Sequence, residues 1–319
     1  MKIGYIANTE DVNGVEYHRL YKPLSLIGHD VTRCVGVDKQ ILTHGFDVVI
    51  FNRVLPCQKQ SEFIRDLQRA GTYVICDIDD TWVMGTDHYL SKVWERENMR
   101  VRTIGALMSA DEVWVTHKLL ADLVGNLNPN VHIMPNALDK DEEQWKANFT
   151  GNGRIGWVGG ITHVKDVLLT EKAWGDILPV ICGYQHGEPE WKKLSDRLPA
   201  TYVKGMDAFN YAQLYEQFDI AIAPLTHTKF NAYKSNLKIL EAGFKGKPIF
   251  AQEMHPYVDR HKGIYPVRSW GNAIRLAASM SAAQTQDEGQ ALMVYVHENY
   301  DIRKINERRL ERLHAYQTA

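Results

Sequence analysis

The stretch that most limits what this chain can fold into runs from Asp219 to Ala251, DIAIAPLTHTKFNAYKSNLKILEAGFKGKPIFA. Ile220 to Leu225 is an unbroken apolar run, the pattern of a parallel strand buried on both faces. After a polar loop, Asn236 to Phe244 places Leu237, Leu240 and Phe244, with Ile239 and Ala242, at helical spacing. Gly246 closes that helix, Lys247-Pro248 turns the chain, and Ile249-Phe250-Ala251 begins another strand. Such a strand–loop–helix–strand unit belongs to a parallel α/β sheet. Lys234, Ser235, Asn236, Lys238 and Glu241 gather around the start and first turns of its helix. A helix N-terminus offers unpaired N–H groups and partial positive charge, which suits a diphosphate. Glu241 lies one to two turns deeper, where a carboxylate accepts hydrogen bonds from sugar hydroxyls. The layout predicts a nucleotide site.

The first half alternates in the same way. Strands are expected at Lys2–Ala7, Asp30–Val35, Asp47–Phe51, Tyr73–Cys76, Glu112–Val115 and Val131–Met134, with helices at Tyr17–Ile27, Ser61–Ala70 and Lys118–Leu127. Pro23 inside the first helix predicts a kink or a late start. This order argues a doubly wound parallel sheet. The polar run Asp139–Gly153 reads as a linker, and a second alternating half begins at Ile155. A chain of 319 residues suits two such domains, 1–150 and 151–300, with 301–319 as a final helical segment. Apolar content of 45% and charged content of 24% are ordinary for a globular enzyme. No apolar run reaches the ~18 residues that span a bilayer. Met1-Lys2 leads straight into a strand with no signal peptide, so a cytoplasmic location without stable membrane insertion is expected. Cys34, Cys57, Cys76 and Cys182 form no CxxC pair and read as reduced thiols.

The order APL, FN, KS, K, LEAG, GKP resembles the donor-site segment of the GT-B glycosyltransferases, in particular the retaining group whose signature ends in a glutamate on a helix. Those enzymes carry two glutamates with seven residues between them; Glu241 matches the second, and Tyr233 stands at the first. Ile155–Asp166, IGWVGGITHVKD, resembles the first strand and glycine loop of the same nucleotide domain. Lys165 matches that family's lysine, and Gly160 stands where an arginine often follows the first glycine. Val113–Asp139, closing in PN-x-x-D, resembles the end of the acceptor domain. Gly14-x-x-Tyr17-x-Arg19 resembles an element of short members, many of them phage-encoded.

The resemblance implies two Rossmann-like domains facing across a cleft, the acceptor in the first and the nucleotide-sugar donor in the second. The C-terminal helix, Ile305–Tyr316, would cross back to the first domain. It further implies transfer of a sugar from a nucleoside-diphosphate sugar, such as a UDP-sugar, to a hydroxyl. The donor is then a co-substrate, and neither a metal nor another cofactor is required. Lys165 and Lys238 would stabilise the leaving diphosphate, with Lys234 and Ser235 behind them. Gly159 and Gly160 would let the backbone approach the ligand. The acceptor would be a saccharide of the cell envelope or, for a phage-type enzyme in its host's cytoplasm, a hydroxymethylated DNA base. Residues 1–150 hold 16 Lys/Arg against 21 Asp/Glu, and residues 151–319 hold 21 against 18. An acidic first half argues against strong non-specific binding to duplex DNA.

Several residues carry two readings. His163 lies near the phosphates or the sugar, or is a capping or surface histidine. Gly14, His18 and Arg19 line the cleft, where Arg19 reaches donor phosphates or holds an anionic acceptor; the other reading is a helix-surface salt bridge. Asp79 and Asp80 touch acceptor hydroxyls or act as a base at the cleft floor, or else cap the following helix. Arg100, with Lys92, Arg96 and Arg102, grips a phosphate-bearing acceptor or belongs to a solvated helix face. Asp77-x-Asp79-x-Thr81 also matches the opening of the haloacid-dehalogenase phosphotransferases. There Asp77 would be the nucleophile, Asp79 the acid/base and Mg²⁺ the shared ion, although that motif normally lies on the first strand of its domain. Tyr233 and Gly160, standing where the glycosyltransferases carry charge, leave a third reading: a nucleotide-sugar binding protein without catalysis.

Overall fold

The structure, a computed structural model, describes residues 1–86 and 88–318. The chain divides into two units: Met1–Ala137 with Tyr233–Ser235 and Ile302–Ala319, and Leu138–Ala232 with Asn236–Asp301.

Six parallel strands form the first unit's sheet: β1 (Lys2–Ala7), β2 (Asp30–Val35), β3 (Val48–Asn52), β4 (Tyr73–Ile78), β5 (Glu112–Val115) and β6 (Val131–Ile133). They lie in the order β2-β1-β3-β4-β5-β6. Strand geometry sends alternate residues to opposite faces, so a sheet covered on both sides needs apolar residues at nearly every position. Ile6, Val49, Phe51, Val74, Cys76, Val113 and Val115 form one layer with Ile64, Leu67 and Leu107 from the helices Gln60–Arg69 and Met99–Ser109. Ile3, Tyr5, Val48, Ile50, Ile75 and Trp114 form the other, against Leu20, Leu24 and Leu313. Leu313 lies on the last helix, Ile302–Thr318, which packs within this first unit, as the resemblance implies. Asn306 Nδ2 donates to Pro23 O (2.8 Å) and Arg312 pairs with Glu112 (3.0 Å) to hold it there.

The helix after β1 departs from expectation. It starts at Gly14, three residues before the predicted Tyr17, because Asn13 Oδ1 caps it by accepting from Glu16 N (3.0 Å). Tyr17–Tyr21 is wound as a π-helix, and Lys22–Ser25 resumes the α-helix around Pro23. The wider turn is how the chain takes up its proline.

The second unit repeats the plan with β7 (Ile155–Val158), β8 (Val180–Tyr184), β9 (Thr201–Lys204), β10 (Ile220–Ala223), β11 (Ile249–Gln252) and β12 (Ile264–Val267), in the order β12-β11-β10-β7-β8-β9. One face packs on Ile239, Leu240 and Phe244 of the helix Leu237–Phe244 and on Leu292 and Val296 of the helix Ala282–Tyr300. The other packs on Val164, Val167, Trp191, Leu194, Ile274 and Ala277. The two helices of the first face lie so close that a Cβ on Gly243 would come within 2.8 Å of Val296. The expected linker is partly core: Trp145 is buried in this unit's cluster, next to Leu138 just before the linker. Among the described residues, no helix is long and apolar enough to cross a membrane.

Each sheet has a point where neighbouring strands send their connections in opposite directions, and open α/β sheets bind ligands there, beyond the carboxyl ends of the strands. In the second unit that point lies between β7 and β10; in the first it lies between β1 and β3.

Candidate functional site

The loops leaving β7 and β10 meet in a polar cluster. His163 Nδ1 lies 2.8 Å from Asp166 Oδ2, and Asp166 Oδ1 accepts from Thr226 N (2.8 Å) and Thr226 Oγ1 (2.7 Å). Asn231 Nδ2 reaches the same oxygen (3.3 Å) and also donates to Thr226 O (3.0 Å). Burial works to raise the Asp166 pKa, but His163 and Thr226 outweigh it and hold the carboxyl below its ordinary range. Asp166 is therefore an anion that fixes one loop to the other and orients His163. Asp166, Thr226 and Asn231 carry no local signal in the sequence, because Asp166 and Thr226 are 60 positions apart. Lys165, beside them on the short helix Val164–Val167, is exposed.

The two glycines behave differently. A Cβ on Gly159 would stand 2.3 Å from the Trp157 ring, so packing within the protein already demands glycine there. A Cβ on Gly160 would meet nothing within 4 Å, and Gly160 is exposed. Of the pair, only Gly160 presents its backbone to open space.

Past β10, the helix Leu237–Phe244 carries Lys238 in its first turn. Lys238 Nζ donates to Glu241 Oε2 (2.7 Å) and Tyr211 Oη (2.7 Å), and Tyr215 Oη donates to the same Glu241 oxygen (2.7 Å). Burial opposes the charged ammonium, yet Glu241 and Tyr211 prevail and hold the Lys238 pKa above the ordinary lysine value. The result is a fixed cation, half-buried, at the start of a helix on the carboxyl side of the sheet. Glu241 is 1% exposed. An i,i+3 partner and a buried tyrosine occupy its Oε2, so it acts first as the group that positions Lys238. Asn236, expected at the donor, gives its amide to Asp259 (3.1 Å) and Tyr300 Oη (3.1 Å).

Lys234 and Ser235 group with the first unit. Ser235 Oγ accepts from Asn136 Nδ2 (2.7 Å), and Lys234 Nζ lies 3.9 Å from Asp80. Asn136 Oδ1 in turn accepts from Arg19 Nη1 (3.0 Å).

Arg19 matches neither of its two readings. It is 1% exposed, its Nε and Nη2 clasp Asp77 at 3.0 and 2.6 Å, and Nη1 also donates to Met134 O (2.8 Å). The π-helical turn aims it inward, so it is neither a surface salt bridge nor a ligand hand. Asp77 is fully buried and also accepts from Asn52 Nδ2 (2.9 Å). A phosphoryl nucleophile needs an open carboxylate oxygen, and Asp77 has both engaged by protein partners, which disfavours the phosphotransferase reading. His18 is buried as well and stands edge-on to Tyr17 at 5.1 Å. Gly14, by contrast, is exposed.

At the carboxyl end of β3, Arg53 adopts φ +63, a left-handed conformation rare for arginine, and Val54 N donates to Asn52 O (2.7 Å) across it. Its Nη2 lies 3.1 Å from Asp79 and 3.7 Å from Asp80, and its guanidinium stands 5.2 Å from the Trp94 ring. Burial would raise the Asp79 pKa, but Arg53 foremost, then Arg19, hold it below the ordinary range. Asp79 is therefore a carboxylate anion paired with Arg53. The helix-cap reading fails, because the next helix begins only at Ser91. Arg53 left no mark in the sequence, since nothing there announces a non-glycine residue with positive φ. Arg100 is exposed on Met99–Ser109, whereas Arg102 turns back to donate to Leu55 O (2.6 Å).

No family model and no curated protein matches the sequence. Solved structures do match the fold. HepE of Anabaena, in complex with UDP-glucose, aligns at a TM-score of 0.70 and 13% identity over 99% of this chain and 100% of its own. OtsA in its apo form aligns at 0.63 and 10% over 98% of this chain and 99% of its own. AviGT4, a glycosyltransferase involved in avilamycin A biosynthesis, aligns at 0.62 and 12% over 99% of this chain and 97% of its own. Two six-stranded parallel sheets with flanking helices, alike in their neighbours over almost the whole chain, give this protein the two-domain α/β fold of the GT-B glycosyltransferases.

Proposed function

We propose that this protein transfers a sugar from a UDP-sugar to a hydroxyl of a saccharide acceptor. The observation that carries the reading is Lys238, an ammonium held charged by Glu241 and Tyr211 at the start of the helix that follows β10. When a sugar–phosphate bond breaks, negative charge grows on the departing diphosphate. A cation already fixed in place stabilises it without reorganisation at the moment of reaction. Gly160, with open space around it, and exposed Lys165 stand at the neighbouring β7 loop. The fold neighbours include an enzyme solved with UDP-glucose, which supports a uridine donor. The glutamate-helix resemblance favours retention of anomeric configuration.

In the first unit, Asp79, Asp80 and Arg53 gather carboxylates and a guanidinium beside Trp94, the mixture of acceptors, donors and aromatic surface that binds a polyol. Two carboxylates in an acidic half of the chain disfavour a polyphosphate partner, so a saccharide is the preferred acceptor over modified DNA. The test is turnover in EDTA against a panel of nucleotide sugars, with oligosaccharides and hydroxymethylated DNA as acceptors. The expected result is release of UDP and a glycosylated saccharide, lost in Lys238→Ala. No turnover with any donor, or turnover that needs Mg²⁺ and survives Lys238→Ala, would sink the proposal.

A further inference from the structure

Arg19, Asp77 and Arg309 share one buried neighbourhood in the first unit, where the C-terminal helix lies on the sheet. Arg309, like Arg19, is 1% exposed. Its Nη1 donates to Asn306 Oδ1 (2.9 Å), and its guanidinium stands 6.0 Å from the Trp114 ring. Among the described residues, its Nε and Nη2 are buried without a hydrogen-bond partner. These two nitrogens make one edge of the planar guanidinium, the same edge with which Arg19 clasps Asp77. Two parallel N–H groups there converge on one point, the geometry that receives a carboxylate or another small anion.

Charge points the same way. Asp77 brings one negative charge to two arginines, and Arg19 takes both of its oxygens. Burial first, and Arg19 next, push the Arg309 guanidinium down to about 9, still charged at neutral pH. Nearby carboxylates are committed: Glu112 to Arg312 (3.0 Å) and Trp114 Nε1 (2.6 Å), Asp79 to Arg53 (3.1 Å). One positive charge is left over, and a buried charge without a partner is costly. We infer that the Nε/Nη2 edge of Arg309 binds a small monovalent anion, of the halide or simple carboxylate kind, inside the first unit. The surplus of one charge sets the valence. The anion would fasten the C-terminal helix to the sheet, making the first unit's stability depend on the anion supplied. The inference does not rest on the glycosyltransferase reading.

Bromide is the probe, because it is both a halide and an anomalous scatterer. The full chain is melted in sodium bromide and in sodium gluconate at equal ionic strength, as wild type, Arg309→Met and Arg309→Lys. Crystals grown in bromide are measured at its absorption edge. The expected result is a saturable rise in wild-type Tm with bromide and an anomalous peak within hydrogen-bond distance of Nε and Nη2. Both variants should lose the bromide response, and Arg309→Met should melt no lower than wild type in gluconate. Arg309→Lys keeps the charge but not the fork, so it serves if the methionine variant fails to fold. A wild-type Tm indifferent to bromide with no peak at Arg309, or an equal bromide response in the variants, would overturn the inference.

Discussion

Asp77→Ala tests whether the carboxylate at the end of β4 is structural. Asp77 accepts from Arg19 Nε (3.0 Å), Arg19 Nη2 (2.6 Å) and Asn52 Nδ2 (2.9 Å), all out of water. Deleting one partner of a buried pair costs ~3–5 kcal/mol, because the other charge stays buried and unpaired. Here the loss belongs in the upper part of that range, since Arg309 also loses the nearest negative charge. For a unit of this size each kcal/mol moves Tm by about 2–4 °C, so the first unit should melt roughly 10–20 °C lower. Asp77→Asn should lose less, because its amide oxygen still accepts one N–H. Replacing the pair together, Arg19→Met with Asp77→Leu, should recover most of the loss. Scanning calorimetry of the four proteins reads all of this. A loss below ~1 kcal/mol in Asp77→Ala would refute the reasoning. So would an unchanged Tm accompanied by the disappearance of a Mg²⁺-dependent phosphatase activity, which would make Asp77 the nucleophile after all.

Three further outcomes follow from the second unit. Gly159→Ala drives a Cβ to 2.3 Å from the Trp157 ring and should cost ~1–3 kcal/mol, whereas Gly160→Ala meets nothing and should melt like wild type while raising the donor KM several-fold. Burial pushes Lys247 down to about 8 from 10.5, against the pull of Asp219. The unfolded chain therefore binds more protons between those values, and stability should rise with pH across that window by ~3 kcal/mol, a rise absent from Lys247→Met in urea titrations. Below pH 8 both states hold the proton and the penalty is present in full. Lys238 is held above its ordinary value, so donor binding should show no alkaline loss below pH 10.5. In Glu241→Gln burial is left with only Tyr211 against it, the Lys238 pKa falls, and an alkaline limb should appear in the pH profile of donor affinity.

The central strands were legible because buried parallel strands write themselves as largely apolar runs: β1 and β5 fall on their predicted residues. Lys238 and Glu241 were legible for a related reason, since three positions on a helix make neighbours. What stayed hidden depends on distance along the chain. Arg19 and Asp77 are 58 positions apart, and nothing local tells a surface arginine from one that a π-helical turn aims inward. Arg309 sits in the run ERRLER and reads as one more solvated charge; only the face turned to Trp114 buries it. Trp145 lay in a polar stretch whose composition reads as a linker, although its side chain completes the second unit's core. Arg53 is the sharpest omission, because a strained backbone is set by what surrounds it and not by its own residue type.

Donor binding at Lys238 is the step on which the proposed sugar transfer depends. Calorimetric titration of a UDP-sugar in EDTA into wild type, Lys238→Ala and Asp79→Asn would measure it. The expected result is saturable binding to wild type, at least about tenfold weaker binding to Lys238→Ala, a loss of ~1.4 kcal/mol or more, and unchanged affinity in Asp79→Asn. Equal affinity in wild type and Lys238→Ala, or no binding of any UDP-sugar to wild type, would contradict it.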